Sequence, residues 1–154
     1  MSWTHLNPKE VPPHVSQWAN QLVRSPIPFD NNITHITVLG RTPSKKNSRI
    51  VFVRNGKICN IPSKAYAEWH KTAIEALPSG LFLRDIKSVT LEFHVPDKRG
   101  ADLTNKAESI MDLLVDKEIL EDDNWFVVPK VIIEFKGIDR DNPRCEVYVE
   151  RNNE

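Results

Sequence analysis

Acidic residues gather at both ends of one segment of this chain. Pro96-Asp97-Lys98-Arg99-Gly100-Ala101-Asp102-Leu103-Thr104-Asn105 leads into a helix-like stretch, which is followed by Leu120-Glu121-Asp122-Asp123-Asn124. From Asp102 to Asp123 there are eight carboxylates (Asp102, Glu108, Asp112, Asp116, Glu118, Glu121, Asp122 and Asp123) against two cations, Lys106 and Lys117. Two unit charges about 4 Å apart interact by roughly 4 kcal/mol at an effective dielectric near 20, so carboxylates that converge need a proton, more distance or a cation. An all-oxygen set suits Mg²⁺, with Mn²⁺ as an alternative, and such an ion can act on phosphates. The simpler reading is a solvated acidic helix face followed by an acidic turn.

A basic segment lies earlier in the chain. Between Arg41 and Lys64 there are seven cations (Arg41, Lys45, Lys46, Arg49, Arg54, Lys57 and Lys64) and no Asp or Glu. The formal net charge of the 154 residues is zero, which argues against coating nucleic acid by bulk charge. An uneven distribution still lets one segment meet phosphates while the other binds divalent ions. Within the segment, Lys45 and Lys46 carry the charge, and Ser44, Asn47 and Ser48 offer neutral donors. The alternative is the solvated surface of a hairpin.

These residues resemble the RusA-like Holliday-junction resolvases, small endodeoxyribonucleases often carried by phages and prophages. The resemblance runs from Leu91-Glu92-Phe93-His94-Val95-Pro96-Asp97 through Asp102-Leu103-Thr104-Asn105, Asp112-Leu113-Leu114 and Leu120-Glu121-Asp122-Asp123 to Lys130, with a looser match at Pro43-Ser44-Lys45-Lys46-Asn47. It spans roughly Ile36 to Glu150. It implies that Asp102 and Asp123 are catalytic, metal-binding carboxylates with Asp122 beside them, and that Asn105 lies close to the DNA backbone. It also implies a homodimer that resolves four-way junctions in branched DNA by paired nicks, with Mg²⁺ as cofactor. Further DNA contacts are expected from Ser44, Lys45, Lys46, Asn47, Lys98, Arg99 and Lys106.

Two positions depart from the family pattern. Thr104 stands where a second aspartate is usual, and Glu108 stands where a helix lysine is frequent. In a helix starting near Thr104, Glu108 lies one turn on, about 5.4 Å along the axis, and helical Cα–Cβ bonds tilt toward the N-terminus. Glu108 is therefore expected to restore the third carboxylate of the metal site, with Lys106 or a loop lysine supplying the displaced positive charge. The alternatives are a solvated Glu108 and a catalytically weakened protein that binds branched DNA without cutting it.

The elements that must position these residues are legible as patterns. Ile36–Gly40 reads as a first strand, and Ile50–Val53 and Ile58–Ile61 flank Asn55-Gly56, a two-residue hairpin signal. Ser63 can cap a helix running to about Leu77, in which Tyr66 and Trp69 read as core and His70 receives no catalytic role. Val89–Val95 alternates as a strand, a helix runs from Asp102 or Thr104 to about Asp116, and strands are expected over Phe126–Phe135 and Arg144–Val149. The fold class expected is α+β, a single domain with a mixed sheet and two main helices, RusA-like in arrangement. Its domain covers 33–154, preceded by an extension over 1–32 in which Pro12-Pro13 opens a possible short helix that either packs on the domain or serves a partner.

A strand-helix-strand crossover makes the strands around the acidic helix parallel neighbours or near neighbours. That arrangement puts Asp102 after the C-terminal end of one strand and Asp123 before the N-terminal end of the next, at opposite edges. The two meet only if the loop 97–101 folds back, if the strands are antiparallel, or if the helix spans less than a full crossover. Cys59 and Cys145 are too few and too separated for a disulfide framework or a zinc site, and are read as reduced thiols. Met1-Ser2-Trp3-Thr4-His5-Leu6 has no hydrophobic signal region, and no apolar run exceeds four residues, so a cytoplasmic protein with no membrane span is expected.

Overall fold

Alternating apolar residues build the sheet on which everything else is placed. In the computed structural model, which describes residues 31–153, β1 (Ile33–Leu39), β4 (Ile86–Val95), β5 (Val131–Ile138) and β6 (Arg144–Arg151) form one mixed sheet in the order β1-β6-β4-β5. β6 is antiparallel to both β1 and β4, whereas β4 and β5 are parallel neighbours. Ile36 and Val38, then Val89, Leu91 and Phe93, then Cys145, Val147 and Val149 point to one face and are buried. Two helices supply the other side of that core. These are α1 (Lys64–Ala76), through Ala73, and α2 (Leu103–Asp116), through Ala107, Ile110, Met111, Leu113 and Leu114. The domain is thus α+β with a mixed sheet and two helices. The short helix expected in the N-terminal extension lies outside the described residues.

Local signals set several boundaries. Ser63 Oγ accepts from the Tyr66 N–H at 3.2 Å and starts α1. β2 (Arg49–Arg54) and β3 (Lys57–Pro62) form a separate two-stranded hairpin, whose turn residues Asn55 and Gly56 have φ of 52° and 72°. Positive φ at both positions is the mirror-image turn that matches the twist of a tight hairpin, and Asn-Gly adopts it most readily.

One boundary differs from the sequence pattern. Phe126–Lys130 is not strand: β5 begins at Val131. Asn124 stops it from starting sooner, because its Oδ1 accepts from the Phe126 N–H at 2.9 Å while its carbonyl accepts from Val128 N–H at 2.8 Å. These bonds close a turn and offer the backbone an alternative to the sheet ladder. Trp125 and Phe126 consequently stand 76% and 88% exposed. No helix among the described residues is long and apolar enough to cross a membrane.

The second face of the sheet is polar, with Glu146 at its centre. Glu146 accepts from Thr37 Oγ1 and Arg144 Nε, each at 2.6 Å, and its other close partner is His35 Nε2 at 2.6 Å. Burial opposes its charge, but the hydrogen bonds from Thr37, Arg144 and His35 outweigh it and bring the carboxyl from 4.5 down to about 2. An acid whose folded pKa is lowered contributes stability above its ordinary pKa and loses it as pH falls through the folded value. The wild-type urea midpoint is therefore expected to drop more steeply between pH 4.5 and about 2 than that of Glu146→Gln, which is also less stable at pH 7. Parallel pH curves for the two proteins would remove Glu146 from this role.

Candidate functional site

The acidic helix and the basic loop expected to serve separate partners lie against each other. Asp102 caps α2: its Oδ1 accepts from Thr104 N–H at 3.0 Å and from Thr104 Oγ1 at 2.6 Å, and its Oδ2 accepts from Asn105 Nδ2 at 3.1 Å. These bonds, led by the Thr104 hydroxyl and helped by the charge of Lys46, hold the Asp102 carboxyl below its ordinary range. Thr104 is thus a donor to Asp102. Asn105 donates to the same carboxylate.

From Asp102 onward, the polar side of α2 is lined by the loop 41–48. Lys106 Nζ donates to the Thr42 carbonyl at 2.5 Å, Ser109 Oγ donates to the Pro43 carbonyl at 2.8 Å, and Lys45 N–H donates to Ser109 Oγ at 3.1 Å. Lys45 Nζ pairs with Asp112 Oδ2, and Lys46 Nζ lies 3.7 Å from Glu108 Oε2. Lys106 is buried, and desolvation lowers its pKa, so its ammonium ties the loop to the helix and is not presented to an external phosphate. The hydrogen bond to Asp112 raises the pKa of Lys45. Of the remaining expected DNA contacts, Ser44 accepts from the Asn47 N–H at 3.4 Å, while Arg99 forks onto Asp97 at 2.7 and 3.0 Å and lowers that carboxyl to about 2. Lys98 and Asn47 are exposed.

The second acidic segment follows Ile119 and Leu120, whose burial fixes where the chain turns. Asp122 accepts from the Asp123 N–H at 2.7 Å and from Asn124 Nδ2 at 2.5 Å, and these donors lower its pKa. Asp123 moves the other way. Partial desolvation, then the Asp122 carboxyl and the negative charges of Asp112 and Asp122, raise it.

Asp123 therefore has Asp112 and Asp122 as its acidic neighbours. Asp112 lies ten residues along from Asp102, about 15 Å up the axis at 1.5 Å per residue. The topological conflict read from the sequence is real: β4 and β5 are parallel and α2 is a full crossover helix of 14 residues. Among the described residues, no three His, Cys, Asp or Glu side chains converge as a group able to hold a metal ion. Among the described residues, Asp102, Glu108, Asp122 and Asp123 do not form such a group, and Lys45 and Lys46 supply cations beside Asp112 and Glu108.

Sequence reasoning did not single out the group around Asp112. Tyr66 is buried within reach of Lys45, Ser109, Asp112 and Asp116, and His70 Nε2 lies 2.8 Å from Asp116 Oδ2 and stacks on Tyr66 with ring centroids 6.1 Å apart. The spacing Asp102, Asn105, Ser109, Asp112, Asp116 at three and four residues was the available signal for one polar stripe on α2. Its partners in the loop and in α1 are 43 or more residues away in sequence, beyond the reach of periodicity. Comparisons with protein-family models and with curated proteins found no match to this chain.

Proposed function

We propose that this protein is a RusA-like endodeoxyribonuclease that resolves four-way DNA junctions as a homodimer by paired nicks, with Mg²⁺ as the expected cofactor. The observation that carries this reading is the run Asp102-Leu103-Thr104-Asn105 at the start of a helix between two parallel strands, with Glu121-Asp122-Asp123 on the return to the second strand. A divalent ion in such enzymes activates water and stabilises charge on phosphate. What this chain's own side chains do is narrower. Thr104 and Asn105 hold the Asp102 carboxyl below its ordinary range, partial desolvation and the Asp122 carboxyl push that of Asp123 up, and Lys45 pairs with Asp112.

A second reading is favoured by one specific feature. The Asp102 oxygens already accept from Thr104 and Asn105, which competes with a metal ion for the same lone pairs and supports weakened cleavage in a protein that still binds branched DNA. Incubating the protein with a mobile four-way junction, with and without Mg²⁺, separates the two. Paired nicks only with metal support the nuclease. Junction binding without nicks supports the second reading, in which case Thr104→Asp, restoring the usual aspartate, is expected to raise nicking. No binding to branched DNA overturns both.

A further inference from the structure

With Lys45, Lys46, Lys106 and Arg99 engaged by the protein itself, the cations of the basic segment that face no acid lie elsewhere. The β2–β3 hairpin carries Arg49, Arg54 and Lys57 and no acidic residue, and none of these three has an ion-pair partner among the described residues. Arg49 bonds only to a neutral group within the hairpin, with its Nε 2.9 Å from Asn60 Oδ1. Arg54 and Lys57 face each other across the Asn55-Gly56 turn at the tip. The strands of six residues each extend about 20 Å at 3.3 Å per residue.

Between the basic base and the basic tip the hairpin is apolar. Val51, Val53 and Ile58 share one face and are 64%, 69% and 78% exposed; Ile50, Phe52 and Ile61 share the other and are also exposed. An isolated two-stranded hairpin is marginal in water, and side chains of this kind left open on both faces mark a surface that a partner covers. Charge decides which partner. A second copy of the same hairpin would set Arg49, Arg54 and Lys57 against their own counterparts, an arrangement of like charges only. A polyanion meets all three favourably, and a DNA groove admits a two-stranded ribbon.

We propose that the β2–β3 hairpin is the arm that enters branched DNA. Arg49, on the same face as Val51, Val53 and Ile58, and Arg54 and Lys57, which project from the opposite face at the tip, contact phosphates on either side of the branch, while Val51, Val53 and Ile58 lie against base faces that the branch leaves unstacked. Apolar side chains wedge between base steps in this manner in proteins that bend or open DNA. The inference rests on the branched-DNA reading above and moves its electrostatic contacts from the loop 41–48 to the hairpin.

The test uses two variants of the full chain, binding to a four-way junction and to a linear duplex of the same arm sequence over a range of salt, and sedimentation. Arg54→Gln with Lys57→Gln is expected to weaken binding to both DNAs and to reduce the log-log salt slope by about 1.8, at about 0.9 per lost phosphate contact. Val51→Thr, Val53→Thr and Ile58→Thr together, which keep strand propensity, are expected to reduce the preference for junction over duplex by about tenfold while duplex binding and oligomeric state stay unchanged. A 2-aminopurine placed at the branch reports unstacking by a rise in fluorescence with wild type that the triple variant lacks. If wild type binds junctions and both variants match it, the hairpin assignment fails while the function stands. If the triple variant changes the oligomeric state, the apolar face belongs to a second copy. If wild type binds no DNA, the function and the arm fall together.

Discussion

On the proposed nuclease reading, Asp102→Asn and Asp123→Asn are each expected to lower Mg²⁺-dependent nicking of a four-way junction by about a hundredfold or more, the scale of losing one group that stabilises charge in the transition state. Junction binding is expected to persist or to tighten, because each change removes negative charge. The two substitutions are gentle on the fold for different reasons. Asparagine caps a helix about as well as aspartate, so α2 keeps its start when Asp102 is replaced. At Asp123 the ionised form is disfavoured by partial desolvation, by the Asp122 carboxyl and by the charges of Asp112 and Asp122. An acid whose folded pKa is raised lowers stability as pH rises through the interval between its unfolded and folded values, so a neutral side chain is expected to hold or improve stability at pH 7. Near-wild-type nicking by either variant would remove that carboxylate from the chemistry. Equal loss of nicking and of the urea midpoint would make the effect one of folding.

Phe93→Ala is expected to cost about 3–5 kcal/mol, the range for emptying a buried aromatic site. Phe93 is 2% exposed in the middle of the sheet, opposite Cys145 of β6 on one side and Phe135 of β5 on the other. A domain of this size is stable by roughly 5–15 kcal/mol, so the substitution removes a large part of the total. The ladder shifts register between Phe93 and His94, and the strand ends two residues further on at Val95, before the loop that delivers Asp102 to its capping position. Loss of packing there loosens the acidic segment as well as the core. The urea midpoint and slope measure the effect, and a cost below about 1 kcal/mol, the surface range, would place Phe93 outside the core.

What the sequence by itself determined is what neighbouring residues decide among themselves. Asn55-Gly56 specifies a turn with positive φ at both positions, Ser63 specifies the start of α1, the alternation Val89, Leu91, Phe93 specifies a strand, and the apolar spacing of Ala107, Ile110, Met111 and Leu114 specifies the buried side of α2. The α+β class followed from those elements and their order. Tertiary structure decided which charges meet. Lys45 and Asp112 are 67 residues apart, and Lys106 and Thr42 are 64 apart, so no periodicity links them. Asp123 takes Asp112 as a neighbour because Ile119 and Leu120 bury themselves at the end of α2 and Asn124 closes a turn before β5, a competition between apolar burial and local hydrogen bonding that only the assembled core resolves. The same assembly spends the loop lysines on the protein's own acids and leaves the hairpin cations facing water, because α2 needs counter-charges along its polar side and the hairpin has none to offer or to seek.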